Sequence, residues 1–143
     1  MEHGESFLES LQVLLMSVQH TISCAKRTIF ITGSGDLNRA MLCDLFRKIT
    51  TDPAFDPSFD TIADFSNVVY LDLNVADIRS LVERTMSKDI RSGRFAIITG
   101  ADQGRYSLGV YFSVLAEGVS NTRQRTFRTA AEANTWLANP ASA

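Results

Sequence analysis

Arg94-Phe95-Ala96-Ile97-Ile98-Thr99 is the stretch on which the fold turns. Four apolar residues follow one another without the polar alternation of a half-solvated strand. That pattern describes a strand covered on both faces, which is the habit of parallel sheets with helices packed on them. Gly100-Ala101-Asp102-Gln103-Gly104 then turns the chain into a helix over about 106–117, with Gly118 as its stop. Residues 124–128 read as the last strand. Thr129-Ala130-Ala131-Glu132 has the spacing of a capping box for a final helix that turns Trp136 and Leu137 inward.

Working upstream, Asn74 caps a helix expected over 75–88, with Asp77 three residues on and Ile78, Leu81, Val82, Thr85 and Met86 as its buried side. Val68–Leu71 reads as a connector, and Thr61–Phe65 as a short strand that ends in Asp64-Phe65-Ser66-Asn67. Leu37, Met41, Leu42, Leu45, Phe46 and Ile49 form the stripe of a helix over about 37–50. It stops before Asp52-Pro53-Ala54-Phe55-Asp56-Pro57. Before it, His20–Cys24 and Thr28–Thr32 are β-rich and form a hairpin. Gly33-Ser34-Gly35 is expected to end the second strand, and Asp36 to cap the helix. The order (α)ββαβαβαβα specifies one α/β domain with a mixed sheet of about five strands and parallel crossovers.

The first 15 residues stand apart as an extension, with the domain over 16–138 and a frayed tail over 139–143. Phe7, Leu8, Leu11, Leu14 and Leu15 follow a helical period, with a strand as the rival reading. An amphipathic helix there either packs on its own domain or docks on a second subunit. In the second case Phe7, Leu11, Leu14 and Leu15 are the oligomer contacts, a dimer being the expected assembly.

Composition bounds the chemistry. The 143 residues are 45% apolar and 21% charged, as in an ordinary globular domain. A net charge of -2 argues against nucleic acid as a partner. Arg123, Arg125 and Arg128 beside Phe127 read as a solvated sheet edge. Cys24, in a strand-like run, and Cys43, in a helix, are expected as reduced thiols. With His3 and His20 the only histidines, and neither CxxC nor HxxxH, no metal or cofactor is expected. No stretch reaches the roughly 20 apolar residues of a membrane span, and Glu2, Glu5 and Glu9 replace the basic start of a secretory signal. A cytoplasmic location is the expectation.

Catalytic patterns fail on inventory. Asn38 stands where GxGxxG needs its third glycine, and Gly100–Gly104 lacks the Gly-Lys-Ser/Thr ending of a P-loop. The aspartates at 52, 56, 60 and 64 are interrupted by Pro53 and Pro57 and suit turn capping. No serine carries the signature of a nucleophilic triad. The chain is therefore expected not to be an enzyme. The preferred place for a ligand or partner is the carboxyl end of the buried strand, where the Asp102 loop meets Asp64-Phe65-Ser66-Asn67. Tyr106, Val110, Tyr111, Val114 and Leu115 form an apolar arc on the third helix, read either as core packing or as the wall of a pocket for an apolar molecule.

Five segments within residues 17 to 137 resemble, in their order, the STAS superfamily in its SpoIIAA-like branch. They are Thr28–Leu37, Asp52–Pro57, Ile62–Ser66, Arg94–Ile98 and Thr126–Leu137. The resemblance implies helices mainly on one face of the sheet. It also implies a bacterial regulatory or protein-interaction module without established enzyme activity. The shared architecture with CRAL-TRIO lipid-transfer proteins adds an apolar cavity. The superfamily's phosphorylated serine sits in an Asp-Ser-Ser-Gly type stretch at a helix start. Here the matching stretch is Asp72-Leu73-Asn74-Val75, with no hydroxyl to take a phosphate. Ser66, close after Asp64, is the substitute candidate, with a strand-end hydrogen bond as its plainer role. The site candidates are thus Asp64, Ser66, Asn67, Asp72, Asn74, Asp102, Tyr106 and Tyr111.

Overall fold

The structure, a computed structural model, describes residues 18–86, 92–120 and 122–139. The extension over 1–15, with its proposed contacts Phe7, Leu11, Leu14 and Leu15, lies outside the described residues. So do residues 87 and 88 and the tail from residue 140.

The first hairpin forms where β-formers crowd. β1 (Val18–Ser23) pairs antiparallel with β2 (Thr28–Asn38), from Val18 against Gly33 to Ser23 against Thr28. Every later strand runs parallel to its predecessor. β3 (Asp60–Asp72), β4 (Phe95–Ile98) and β5 (Gln124–Phe127) complete a five-stranded sheet in sequential order. Helices α1 (Arg39–Thr51), α2 (Val75–Thr85) and α3 (Gln103–Val119) make the crossovers, and α4 (Ala130–Ala138) follows β5. Right-handed crossovers that all step the same way across a sheet must lie on one face. Accordingly α1 packs on α2 and α2 on α3, while α4 covers β3 to β5 from the other side.

β4 shows why the unbroken apolar run was needed. Phe95 and Ile97 enter the large core with α1 to α3, whereas Ala96 and Ile98 enter a smaller one with Ala133 and Trp136. All four residues are at most 5% exposed. Helix starts are capped by short polar side chains, which satisfy otherwise orphaned N–H groups. Asn74 has a full capping box: its Oδ1 accepts from the Asp77 N–H at 2.8 Å, and the Asp77 carboxylate accepts from the Asn74 N–H at 3.0 Å. Thr129 accepts from the Glu132 N–H at 3.3 Å and donates its hydroxyl to the Glu132 carboxylate at 3.0 Å.

Three boundaries differ from the sequence reading. β2 does not end at Gly33 but continues to Asn38, which caps α1 in place of Asp36 by accepting from the Met41 N–H at 3.0 Å. β3 likewise runs on through Val68–Leu71, which is strand and not connector. The glycines bend the strand instead of stopping it. The β2–β3 register shifts between Thr32 and Ser34 and again between Gly35 and Asp36, each time giving β3 one extra residue. Gly35 takes a φ of 65°, and a side chain at Gly33 would strike the Phe65 ring at 2.6 Å. α3 runs past Gly118 to Val119, because Gly118 faces open space and nothing there demands a stop. Cys24 sits exposed in the β1–β2 turn, one residue past the strand.

Of the aspartates at 52, 56, 60 and 64, three hold local i+2 bends, whereas Asp60 bonds across the sheet to the residue before β4. The Asp52 carboxylate accepts from the Ala54 N–H at 2.9 Å and bonds His20 Nε2 at 2.9 Å. Asp56 accepts from the Ser58 N–H, Asp60 from the Arg94 N–H and Asp64 from the Ser66 N–H, each at 2.9 Å. The Ala54 N–H, and then His20, hold the Asp52 carboxyl below its ordinary 3.8. A carboxyl lowered in the folded state contributes stability above its unfolded value and loses it as the pH falls through its folded value. Asp52→Asn should therefore melt below the native chain above about pH 4, and the two should converge on further acidification. Thermal melts across that range check it. Asn74→Ala should cost about 1 kcal/mol in urea unfolding, the usual worth of an N-cap.

Candidate functional site

β4 ends at Ile98, opposite Asp64. Past that point β2 and β3 continue as a two-stranded arm to Asn38 and Asp72. Val68 and Leu71 on the arm, with Leu73 just after it, form one wall of a cleft. Leu42 and Phe46 of α1, Ile78 and Leu81 of α2, and Leu108, Gly109 and Phe112 of α3 supply the others, over a floor of Phe65, Phe95 and Ile97. The cleft has a cavity volume of about 70 Å³, and about 610 Å³ when its solvent-open mouth is included. Phe95 anchors the floor between the rings of Phe46 and Phe112, each with its centroid 6.2 Å away.

Polar groups are few. Thr99 is buried, and its hydroxyl is occupied by the carbonyls of Gly100 at 3.1 Å and Phe127 at 3.4 Å. Arg105, on the first turn of α3, donates from Nη2 to the Val69 carbonyl at 2.9 Å and so ties α3 to the arm beside the mouth. Among the described residues no group of three or more histidine, cysteine or acidic side chains could hold a metal ion, and no helix is long and apolar enough to cross a membrane.

The sheet brings together one of the predicted pairs of segments. Gly100, with φ 79°, stands against Ser66, so the Asp102 loop and Asp64–Asn67 do meet at the carboxyl edge. Their polar groups serve the backbone. The Asp64 carboxylate accepts from the Ser66 N–H and from its hydroxyl at 2.6 Å, and Asp102 caps α3 by accepting from the Arg105 N–H at 2.9 Å. Asn67 is exposed on the arm. Tyr106 lies under the Arg128 guanidinium, 4.0 Å from its ring centroid. Tyr111 stands apart on the α2–α3 seam, where its hydroxyl accepts from Arg79 at 3.3 Å and raises the pKa of that guanidinium. Asp72 and Asn74 lie at the far end of the arm, roughly 25 Å of extended chain from Asp64.

None of the eight candidates lines the cleft. The predicted arc on the third helix holds in part: Tyr111 and Leu115 pack against the large core, but the buried face is turned away from Val110 and Val114. Val110 and Val114 are 36% and 65% exposed, while Phe112, Ser113 and Ala116 are buried. The signal lay in the small residues. A side chain at Gly109 would meet Thr126 at 2.8 Å, and Ser113 Oγ bonds Thr126 Oγ1 at 2.7 Å, so the helix rests on the sheet along its small face.

A solved structure from Shewanella loihica PV-4, described as an uncharacterized protein of the DUF3478 family with a SpoIIAA-like fold, matches this architecture with a TM-score of 0.54. The match covers 86% of this chain and 95% of that one, at 15% identity. The fold is SpoIIAA-like. No family model matches the sequence, and no curated protein matches it. The SpoIIAA-like core is therefore shared as backbone, and the cleft has to be read from this chain's own side chains. Phe95→Ala should remove about 3–5 kcal/mol of stability and widen the cleft floor. Chemical denaturation measures the first effect and a crystal structure of the variant the second.

Proposed function

We propose that this SpoIIAA-like domain is a non-enzymatic binding module whose cleft takes a small apolar ligand. The observation that carries the reading is the lining. Thirteen of its fifteen residues are apolar or glycine, the exceptions being the engaged Thr99 and the latching Arg105. Ligand pockets are typically apolar clefts with a few placed polar groups. The cavity volume of about 70 Å³ is well below the roughly 150 Å³ of an engineered cavity that holds benzene. The ligand thus inserts one end, an alkyl tail or the edge of a ring, and leaves its remainder at the mouth near Arg105. Catalysis is not needed to explain Asp64, Ser66, Asn74 and Asp102, whose hydrogen bonds go to helix caps and a local bend.

A regulatory role through protein contacts is the second reading. It is favoured by Val69 and Tyr70, which stand 77% and 61% exposed on the arm. Such large apolar side chains side by side on a surface suit a partner.

Titration with the fluorescent apolar dye 1-anilinonaphthalene-8-sulfonate tests the first reading. The native chain should give saturable enhancement. Leu108→Trp, which plugs the cleft, should weaken binding at least about tenfold, or 1.4 kcal/mol, with the circular dichroism spectrum unchanged. Equal binding by both proteins would exclude the cleft as the site.

A further inference from the structure

We infer that Arg105 sets the headgroup specificity of the cleft, and that the ligand is an anionic amphiphile: an apolar body that ends in a single carboxylate. The inference rests on the ligand reading above and deepens it. It starts from the lining. Of the fifteen residues around the cleft, Arg105 is the one that carries a charge, and Thr99 has the one other polar side chain. The Thr99 hydroxyl is turned to the Gly100 and Phe127 carbonyls. The polar end of a ligand whose tail lies in the cleft therefore meets a guanidinium.

That guanidinium is held in place without being used up. Its Nη2 donates to the Val69 carbonyl at 2.9 Å, the one hydrogen bond of this side chain among the described residues. A guanidinium carries five N–H donors in a rigid fork, so four stay open while the tie anchors the group at the mouth. No carboxylate among the described residues pairs with it. Asp102, three residues upstream, spends its Oδ1 on the Arg105 backbone N–H, and the Asp64 carboxylate accepts from Ser66. Arg105 is also half-buried, so its charge is screened less than that of a fully solvated arginine. A cation beside apolar surface, answered only by a neutral carbonyl, gains most from a carboxylate, because charge-assisted, two-pronged hydrogen bonds are about twice as strong as neutral ones. The count of charges narrows the class further. Arg39 and Arg79 do not line the cleft and donate to the hydroxyls of Ser80 and Tyr111. One cation at the mouth matches one negative charge, which suits a carboxylate better than a phosphate dianion. A cationic head would face Arg105 itself.

The test compares two dyes on the full chain. N-phenyl-1-naphthylamine and 1-anilinonaphthalene-8-sulfonate share one ring system and differ by a single sulfonate, a monoanion that stands in for the carboxylate. Arg105→Gln should weaken the sulfonated dye at least about tenfold, as loss of a hydrogen bond to a charged group does, and leave the neutral dye within about twofold. Equal loss of both dyes overturns the inference and makes Arg105 a strut of the arm. A second measurement needs no variant. In the native chain decanoate should displace the neutral dye at a concentration at least about tenfold lower than decyltrimethylammonium does. Decanoate should also shift the Arg105 Nε–H resonance, and decan-1-ol should leave it in place. Equal displacement by the two ions, with the Nε–H resonance unmoved, overturns the headgroup and leaves the cleft a ligand site. Neutral-dye binding that Leu108→Trp does not alter removes the ligand reading itself, and this inference with it.

Discussion

The double burial of β4 is the constraint on which the rest depends. A strand of four residues with no polar face must have a layer on each side, and both layers must be built from what the chain has left. The three crossover helices all fall on one face because each crossover steps one strand onward with the same hand. Among the described residues, the segment after β5 is the one that covers the other face. α4 therefore closes the small core with Ala133 and Trp136, and Arg94 fastens its end by donating from Nη1 to the Trp136 and Asn139 carbonyls at 2.6 and 2.9 Å.

The short length of β4 has a second effect. β2 and β3 outlast it, so the sheet narrows to an arm just where the helices begin. An arm two strands wide has no β4 neighbour to pack on, and the space beneath it is filled only by what α1, α2 and α3 lend. Phe46, Phe95 and Phe112 fill the bottom, and the cleft is what stays open above them. The opening thus follows from unequal strand lengths. The tie from Arg105 to the Val69 carbonyl also occupies one backbone acceptor of an otherwise uncovered edge, and the bulges there discourage pairing with another strand.

Much of this was legible in the sequence. Strand and helix order, the covered strand, the hairpin, the local roles of Asp52, Asp56 and Asp64 and the caps at Asn74 and Thr129 all follow from local patterns. The arm was not legible, because its decisive feature is a long-range one. Gly33-Ser34-Gly35 is written like a turn, and only the pairing of β2 with a bulged β3 keeps it extended. The candidate cleft was not legible for a related reason. Reading for polar residues selected Asp64, Asp102 and Asn74, whose side chains are occupied by their neighbours' backbone. The cleft is made of residues that look like ordinary core until the helix phase is known. That phase was set by Gly109, Ser113 and Ala116, residues too small to register in an apolar stripe.

The departure at Asp72-Leu73-Asn74-Val75 gains meaning from this geometry. Where the resembled superfamily carries serines, this chain carries Leu73, which lines the cleft, and Asn74, whose amide oxygen is committed to the α2 cap. One position has been given to the wall and the other to the helix end. A phosphate group has no hydroxyl to join at either. In place of a hydroxyl, this end of α2 presents apolar contact and a shaped surface. Those are the two properties that a greasy cleft beneath a bent arm supplies.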